Sequence, residues 1–435
     1  MSLTENAVFA PKLSVQGEEP MVKTKPFGIS KRAVWDAYCR VRKNGGAAGV
    51  DRQSLEEFEQ DLPNNLYKLW NRLASGSYFP PPVLQVEIPK AQGGMRTLGI
   101  PTVADRIAQT VVKQAFEPCV ERYFHTDSYG YRPGKSALQA VGVTRQRCWR
   151  YDYVLEFDIK GLFDAIDHTL LMRAVEKHTD CRWVRLYIKR WLKAPFQQVE
   201  GGFVERTSGT PQGGVVSPLL SNLFLHYVFD KWMERNFPKY PFARYADDAV
   251  VHCRSETQAR KLKESLERRL RECKLELHPE KTQIVCCRVG KQHETQVAKK
   301  FDFLGFCFRP RLVRNRHGEL FVGVTPAISP RSAKQIRQQV RRWRLHFRVS
   351  QSLDDLARGV NPIIRGWINY YGAYQRSSLV PVLRHIDRYL VKWVKWKYKK
   401  KEHYSKRARR WLGQVARYRP RLFAHWYLGV PFPAE

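Results

Sequence analysis

The order of strands and helices in the middle of the chain limits the folds that it can adopt. The segment VLEFDI (154–159) predicts a strand, and HTLLMRAVEKH (168–178) predicts a helix. ARYADDAVVHC has β-formers on both sides of an Asp-Asp pair, which predicts a hairpin, and a helical segment and the strand TQIVCC follow it. Strand–helix–hairpin–helix–strand is the split βαβ arrangement, which places the end of the first strand beside the hairpin. The expected fold class is therefore α+β.

The acids of the hairpin, Asp247 and Asp248, allow two interpretations. Asp is a common turn residue, so an ordinary acidic turn explains the pair taken alone. Asp158, however, ends the first predicted strand and converges with the hairpin if the two are antiparallel neighbours. Carboxylates are the ligands that Mg²⁺ prefers, and two such ions support in-line phosphoryl transfer. Because side chains alternate along a strand, we expect Asp158 and Asp247 to be the principal ligands of two Mg²⁺ ions, with Asp248 less direct and Mn²⁺ as a substitute ion.

The charge of the chain predicts a polyanionic partner. Lys and Arg number 76 against 41 Asp and Glu, a formal net charge of +35. A membrane surface would also attract such a chain, but nucleic acid is the favoured partner. No apolar run reaches the ~18 residues of a membrane span, and no secretory signal is visible at the start. The nine cysteines are scattered without a CxxC pair, which is typical of a cytoplasmic protein with reduced thiols.

Five motifs stand in the order of the palm motifs of reverse transcriptases. They are FDIKGLFD (157–164), SGTPQGGVVSPLLSNLFL (208–225), YADD (245–248), LHPEKT (277–282) and FDFLGF (301–306). SYGYRPGKSALQAV (128–141) and GWINYYGAYQ (366–375) resemble the group II intron-encoded reverse transcriptases, or maturases, over roughly residues 30–420. The resemblance implies a right-hand polymerase fold with fingers and a split βαβ palm. A helical thumb or maturase domain and a basic helical C-terminal extension would follow.

The expected domain boundaries follow from these motifs. They are an irregular lead-in (1–30), an N-terminal extension with fingers (31–150), a palm (151–310) with a fingers portion returning near 195–216, a thumb or maturase domain (325–376), and a basic DNA-binding extension (377–435). In the thumb segment, Ile336, Val340, Trp343 and Phe347 form an apolar stripe at helical spacing.

The resemblance also assigns roles to single residues. Asp158, Asp247 and Asp248 would be the metal-binding carboxylates, and Lys90 with Arg96 would grip the triphosphate of the incoming nucleotide. Phe163 resembles the aromatic gate that excludes a 2′-hydroxyl, the Gln212 loop approaches the nucleotide, and Lys281 approaches the leaving pyrophosphate. Without the resemblance, these residues are also compatible with hairpin-edge charges, a core phenylalanine, a plain turn and a solvated lysine.

Further basic residues are candidates for nucleic-acid contacts. Arg132 and Lys135 in YRPGK would contact RNA phosphates. Residues 388–421 hold fourteen Lys or Arg and one acid, interleaved with aromatics such as Trp393 and Trp396, which either stack on unpaired bases or belong to the core. The predicted contacts in the thumb and the C-terminal region are Arg337, Arg341, Lys395, Lys399, Lys400, Arg407, Arg409 and Arg410.

The function implied is that of an RNA-directed DNA polymerase that copies intron RNA into cDNA and assists splicing. Its partners would be a group II intron RNA, an RNA template with a DNA primer, dNTPs and a target DNA; a homodimer is left open. We expect no endonuclease domain, since the sequence has neither CxxC pairs nor a His-Asn-His cluster. The alternatives are an RNA-binding splicing cofactor with dispensable polymerase activity, and a domesticated relative acting in DNA repair or phage defence.

Overall fold

The computed structural model describes residues 25–89, 94–287, 297–314, 317–398 and 404–428. Three residues with predicted binding roles, Lys90, Lys399 and Lys400, lie outside these ranges. None of the described helices is long and apolar enough to cross a membrane.

The N-terminal part of the chain contains helices and a small mixed sheet. The helices are α1 (Lys31–Asn44), α2 (Leu55–Gln60), α3 (Leu62–Ser75), α4 (Val103–Glu121) and α5 (Ala137–Cys148). The sheet has the order β2-β1-β4-β5 and consists of β1 (Val83–Pro89), β2 (Met95–Ile100), β4 (Phe196–Gln198) and β5 (Phe203–Val204). Because β4 pairs with β1 in parallel, the segment that follows residue 195 returns to the sheet of the N-terminal part.

The central sheet has the split βαβ arrangement that the sequence predicts. Its order is β6-β7-β3-β8, with β3 (Tyr153–Phe157), β6 (Phe242–Tyr245), β7 (Asp248–Cys253) and β8 (Gln283–Cys286), and the pairs are antiparallel. The helices of this part are α6 (Leu162–Ala165), α7 (His168–His178), α8 (Arg182–Lys193), α9 (Ser217–Leu225), α10 (Lys231–Asn236) and α11 (Glu256–Glu272). Leu262, Leu266 and Leu270 of α11 are buried in a core that also includes residues of α1, α3 and α4.

A π-helical turn interrupts the helix that the sequence predicts from Ser217 to about Arg235. The chain is helical from Ser217 to Asn236, but residues His226–Asp230 between α9 and α10 form the π turn. Such turns insert one extra residue and often occur at functional sites. Here the turn ends at Asp230, whose carboxylate accepts a hydrogen bond from Arg244 of the hairpin that carries Asp247.

The C-terminal part of the chain, from residue 301, begins with a three-stranded sheet of order β11-β10-β9. Its strands are β9 (Phe301–Phe303), β10 (Phe306–Arg314) and β11 (Leu320–Ile328). The helices α12 (Pro330–Arg342), α13 (Leu353–Tyr371), α14 (Arg376–Lys397) and α15 (Tyr404–Tyr418) follow it. Their buried faces form one hydrophobic core that runs from Ile328 to Trp426. The predicted boundary at 376/377 therefore does not separate two cores, because α14 packs against α12 and α13 and also against α15.

Candidate active site

Strand pairing brings the three predicted carboxylates together. Phe157 of β3 pairs with Ala249 of β7, so Asp158 and Asp248, the next residues on these antiparallel strands, are neighbours at the same end of the sheet. Tyr245 pairs with Asp248 across the hairpin, and Ala246 and Asp247 form its two-residue turn. Both the hairpin and its antiparallel position beside β3 confirm the sequence prediction.

A buried ion pair fixes the turn that carries Asp247. The Arg244 side chain is only 1% exposed, and its Nε and Nη2 donate to the two Asp230 carboxylate oxygens at 2.7 and 2.6 Å. Nη1 of the same guanidinium donates to the Ala246 carbonyl at 3.2 Å and to Asn222 Oδ1 at 3.1 Å. Burial disfavours ionisation of Asp230, but Arg244 outweighs it and lowers the pKa of Asp230 to about 2. The turn is therefore held by a permanently charged, fully buried clamp.

The SYGYRPG segment requires a glycine at position 130 because it passes close to the acidic turn. Its backbone passes so close to the turn that a Cβ on Gly130 would lie 2.5 Å from the backbone nitrogen of Ala246. Asn222 Nδ2 donates to the Gly130 carbonyl at 2.6 Å, so the same asparagine that accepts from Arg244 also holds this segment. Any side chain at this position would displace the acidic turn.

The electrostatics of the three acids match the requirements of a cation site. Burial and then the neighbouring charge of Asp158 raise the pKa of Asp247. Burial, Asp158 and Asp247 together raise the pKa of Asp248 to about 7, against a smaller opposing effect of Lys281 and Arg331. Burial and the mutual repulsion of these acids thus disfavour their ionised forms, a cost that a bound cation would offset, and oxygen-rich carboxylate sets of this kind suit Mg²⁺.

Lys281 lies against one of these acids. Its Nζ forms an ion pair with Asp158 Oδ2. The backbone brings it there, because His278 N donates to the Asp158 carbonyl at 2.8 Å. Within the described residues, no three Asp, Glu, His or Cys side chains are already arranged around one point to hold a metal. The three acids fit a metal site by their chemistry and charge, and in this structure the Lys281 ammonium group balances the charge of Asp158.

Arg96, one of the predicted nucleotide-binding residues, contacts the 208–214 loop. Arg96 Nε donates to Gln212 Oε1 at 2.5 Å, although 116 residues separate them in the chain. The Gly99 amide donates to the Gln212 carbonyl at 2.7 Å, and Gly213 adopts a φ of 117°. A Cβ on Gly213 would lie 2.3 Å from the Gly99 oxygen, so this glycine lets the loop pack on β2.

Phe163 is buried at the start of α6, directly beside the same loop. Its carbonyl accepts from the Thr210 amide at 2.7 Å, and Gly209, with a φ of 77°, donates to the Ile166 carbonyl at 2.8 Å. These bonds fix α6, which follows Asp158 closely, to the loop that carries Gln212. Burial alone does not distinguish a gate from a core phenylalanine, so the gate role stays a prediction.

Tyr131 also lies at the site, although the sequence motifs assign it no role of its own. Burial and the charge of Asp247 raise the pKa of Tyr131, and Arg96 lowers it, so the phenol is within electrostatic reach of both. Tyr131 has a φ of 57°, which is rare for a residue with a side chain. The signal in the sequence was its position directly after the glycine that touches the acidic turn.

Arg132 has a different environment from the one that the sequence predicts. Its guanidinium is 6% exposed, pairs with Glu121 and donates to the carbonyls of His125 and Ser128 at 2.6 and 2.7 Å. These bonds leave it little capacity for RNA phosphates, so its position favours a structural role. Lys135 is closer to the prediction: its Nζ donates to the Thr126 carbonyl at 2.9 Å and lies at the surface.

The predicted cations of the C-terminal half are spread over three helices. Arg337 and Arg341 are exposed on α12, and Arg407, Arg409 and Arg410 are exposed on α15. Lys395 on α14 is half-buried. The sequence is compatible with either base stacking or core packing for Trp393 and Trp396. In the structure, Trp393 belongs to the core and Trp396 is exposed.

Tyrosines of the GWINYYGAYQ segment attach the helical region to the rest of the chain. Tyr370 Oη donates to the Leu304 carbonyl at 2.8 Å, in the turn of the FDFLGF hairpin, and Tyr374 Oη donates to the Leu138 carbonyl of α5 at 2.5 Å. Tyr370, Tyr371 and Tyr374 all pack around the ring of Phe306. Ser329 N also donates to the Gly305 carbonyl at 3.0 Å. The turn at 304–305 is thus held by α13 and by the start of α12.

Two families match this chain. Residues 88–308 match the family described as "Reverse transcriptase (RNA-dependent DNA polymerase)". Residues 333–411 match the family described as "Group II intron, maturase-specific domain". The second match crosses the predicted boundary at 376/377, as does the hydrophobic core.

Individual relatives show the same similarity over different lengths. Protein YkfC of Escherichia coli is 34% identical over 325 residues, 64% of this chain and 80% of that protein. The group II intron-encoded protein LtrA of Lactococcus lactis is 35% identical over 202 residues, 45% of this chain but only 33% of LtrA. A telomerase structure from Candida albicans, solved with telomeric RNA, covers 87% of this chain and 68% of that chain at 11% identity and a TM-score of 0.46.

Proposed function

Because this chain belongs to the group II intron-encoded reverse transcriptases, we propose that it copies intron RNA into DNA and also binds that RNA to assist splicing. The observation that supports the polymerase role most directly is the pairing of β3 with β7, which sets Asp158 beside the hairpin that carries Asp247 and Asp248. The proposed substrates are dNTPs and an RNA template with a DNA primer. The proposed further partners are the intron RNA and its DNA target.

Reverse transcriptases use divalent metal ions, and we assign two Mg²⁺ ions, replaceable by Mn²⁺, to Asp158, Asp247 and Asp248. When bound, such ions activate the attacking primer hydroxyl and stabilise the leaving oxygen of an in-line displacement. The residues of this chain hold and orient the groups around that reaction. Asp158 and Asp247 act as the principal ligands, and Asp248 is a third, less direct one. Lys281 must release Asp158 for this role, which frees its ammonium group for the leaving pyrophosphate.

Arg96 and Gln212 hold the incoming nucleotide from the fingers side in this proposal. A guanidinium suits bidentate contact with phosphate oxygens. The bond between Arg96 and Gln212 keeps that guanidinium beside the loop on which the base pair forms. Lys90 is assigned to the same triphosphate by the resemblance alone. Tyr131, near both Arg96 and Asp247, adds a phenol to the wall of this site.

Replacing Phe163 with Val is expected to weaken the discrimination between dNTPs and rNTPs by about 10- to 200-fold, the usual value of a shape difference in an apolar pocket. The smaller side chain would leave room for a 2′-hydroxyl. Single-nucleotide incorporation with dCTP and CTP gives the ratio of kcat/KM values that measures it. Phe58→Val, a buried phenylalanine of α2, controls for general loss of packing. Unchanged sugar discrimination in Phe163→Val would remove the gate role.

Replacing Tyr370 with Phe is expected to weaken primer–template binding about 5-fold while the KM for dNTPs stays the same, because the FDFLGF hairpin that Tyr370 holds resembles the primer-supporting hairpin of reverse transcriptases. The change keeps the ring against Phe306 but removes the bond to the Leu304 carbonyl, worth about 1 kcal/mol. Dissociation of a labelled primer–template is the measurement. Tyr371→Phe is the matched control, since the Tyr371 hydroxyl makes no hydrogen bond to any residue that the structure describes. An equal effect of both substitutions would contradict a positioning role for Tyr370.

The proposed activity is tested by extension of a DNA primer on an RNA template by the purified full chain. We expect extension with Mg²⁺ and dNTPs, none with EDTA, and restored extension with Mn²⁺. Binding of the host intron RNA without metal-dependent extension would instead support the role of a splicing cofactor.

A further inference from the structure

Two exposed aromatic rings contact each other near the C-terminal end of α14. Phe347 and Trp396 are each 54% exposed, and their ring centroids are 5.1 Å apart at an interplanar angle of 88°. The sequence predicts Phe347 as part of the apolar stripe of α12, but α12 ends at Arg342 and Arg344 adopts a φ of 48°. This left-handed residue turns the chain, so Ile336 and Val340 stay in the core and Phe347 faces outward.

The rings are held on a rigid support. Leu345, two residues before Phe347, is fully buried, and the short 3₁₀ turn Leu345–Phe347 packs on α14. Trp393 is buried and its Nε1 donates to the Arg348 carbonyl at 2.9 Å. Lys397 Nζ donates to the Gln351 carbonyl at 2.7 Å. A ligand that stacks on Phe347 or Trp396 would therefore lose little affinity to ordering of the protein.

Exposed cations lie on the same two elements as the rings. Arg344, Arg348, Arg388 and Lys392 are exposed on the turn and on the adjoining length of α14. In the part of the chain that the structure describes, no carboxylate lies within ion-pair distance of these four side chains. Exposed rings near cations that have no carboxylate partner among the described residues match a ligand that has flat aromatic groups and regularly spaced negative charges.

We infer that the face formed by Phe347, Trp396 and these four cations, here called the Phe347–Trp396 platform, binds unpaired RNA nucleotides. The bases stack on the rings and the phosphates contact the cations. Bases inside a duplex are already stacked on one another, so only unpaired segments reach the rings. This inference rests on the proposed function for the choice of RNA, because an intron RNA supplies unpaired loops, but it does not depend on polymerase activity.

The test compares single-ring variants of the full chain for binding of the oligonucleotide r(U)12. The polymerase site is first occupied by a chain-terminated RNA template–DNA primer, so that the oligonucleotide reports on the remaining surface. Phe347→Ala and Trp396→Ala are each expected to weaken r(U)12 binding by about 5- to 150-fold, the range for loss of one stacked base. Binding of a 12-base-pair RNA duplex should stay unchanged. Phe79→Ala is the matched control, because Phe79 is 70% exposed and also lies beside a cation, Arg190.

The salt dependence of r(U)12 binding distinguishes the contribution of the rings from that of the cations. Phe347→Ala should leave the slope of log K against log salt unchanged, whereas Arg388→Gln and Lys392→Gln should each reduce it by about 0.7. Phe347→Trp should retain wild-type affinity, since it keeps a stacking surface. Cross-linking of 5-iodouridine oligonucleotides to the wild-type chain gives a readout that needs no variant, and we expect adducts at Phe347 or Trp396.

Three results would overturn the platform: unchanged r(U)12 affinity in both alanine variants, equal loss of duplex and single-strand binding, or tighter binding of d(U)12 than of r(U)12. The outcome is separable from that of the polymerase proposal. Asp247→Ala should bind r(U)12 like the wild type, and Phe347→Ala should incorporate a single dNTP like the wild type on a saturating primer–template.

Discussion

Replacing Asp247 with Ala is expected to reduce cDNA synthesis on an RNA template by at least about 10³-fold. In the proposed assignment, the change removes a principal ligand of the metal ions, and such ions contribute several kcal/mol to stabilising the charge of a transition state. Asp158→Ala should have an equally large effect, and Asp248→Ala a smaller one, because Asp248 is assigned a less direct role. Single-nucleotide incorporation under single-turnover conditions measures these losses.

The same variants should retain intron RNA binding and splicing, because we assign these roles to surfaces other than the three acids. Asp180→Ala is a matched control, since Asp180 is an exposed acid paired with Arg185 at 2.6 Å. Loss of splicing with retained primer extension in Asp247→Ala would contradict the assignment of the site. A larger loss for Asp248→Ala than for Asp247→Ala would reverse the proposed asymmetry.

Replacing Arg244 with Leu is expected to destabilise the chain by about 3–5 kcal/mol, the usual cost of leaving one member of a buried ion pair without its partner. Asp230 would remain fully buried without its guanidinium partner, with only the His226 imidazole, whose Nδ1 is 3.8 Å from Asp230 Oδ2, beside it. Primer extension should fall as well, because the Ala246 carbonyl loses the guanidinium that fixes the acidic turn. Urea denaturation followed by tryptophan fluorescence and single-nucleotide incorporation measure the two effects.

A double replacement distinguishes stability from positioning. In Asp230→Leu with Arg244→Met, no charge is left buried, so most of the stability should return. Activity should stay low, since the bond to Ala246 is still absent. Lys231→Ala is the control for an ordinary pair, because its exposed contact with Glu234 is worth about 1 kcal/mol or less. Recovery of full activity in the double variant would show that the clamp only stabilises the fold.

The sequence predicts the parts of the site that depend on strand order and local pattern. The hairpin with Asp247 in its turn, the position of Asp158 beside it and the helical spacing of Leu262, Leu266 and Leu270 follow from periodicity and from the split βαβ order. These features are local, or they follow from a topology with few alternatives.

Contacts between distant segments are what the sequence does not provide. The environment of Arg132 depends on Glu121 and on two carbonyls that only the fold brings to it. Similarly, no local pattern links Arg244 to Asp230, because the π turn that directs Asp230 inward is not visible in a helical repeat. Phe347 continues the apolar spacing of α12 in the sequence, but the left-handed Arg344 ends that helix first. Charge and hydrophobicity alone predict neither burial nor exposure at such positions.

The central claim is that Asp158 and Asp247 hold the ions of the polymerase reaction. Its most direct measurement is the number of Mn²⁺ ions bound per chain, by electron paramagnetic resonance, in a chain-terminated complex with RNA template, DNA primer and the next dNTP. We expect two ions in the wild type and fewer in Asp158→Asn and Asp247→Asn, with Asp180→Asn unchanged. Two bound ions in all of these variants would contradict the assignment.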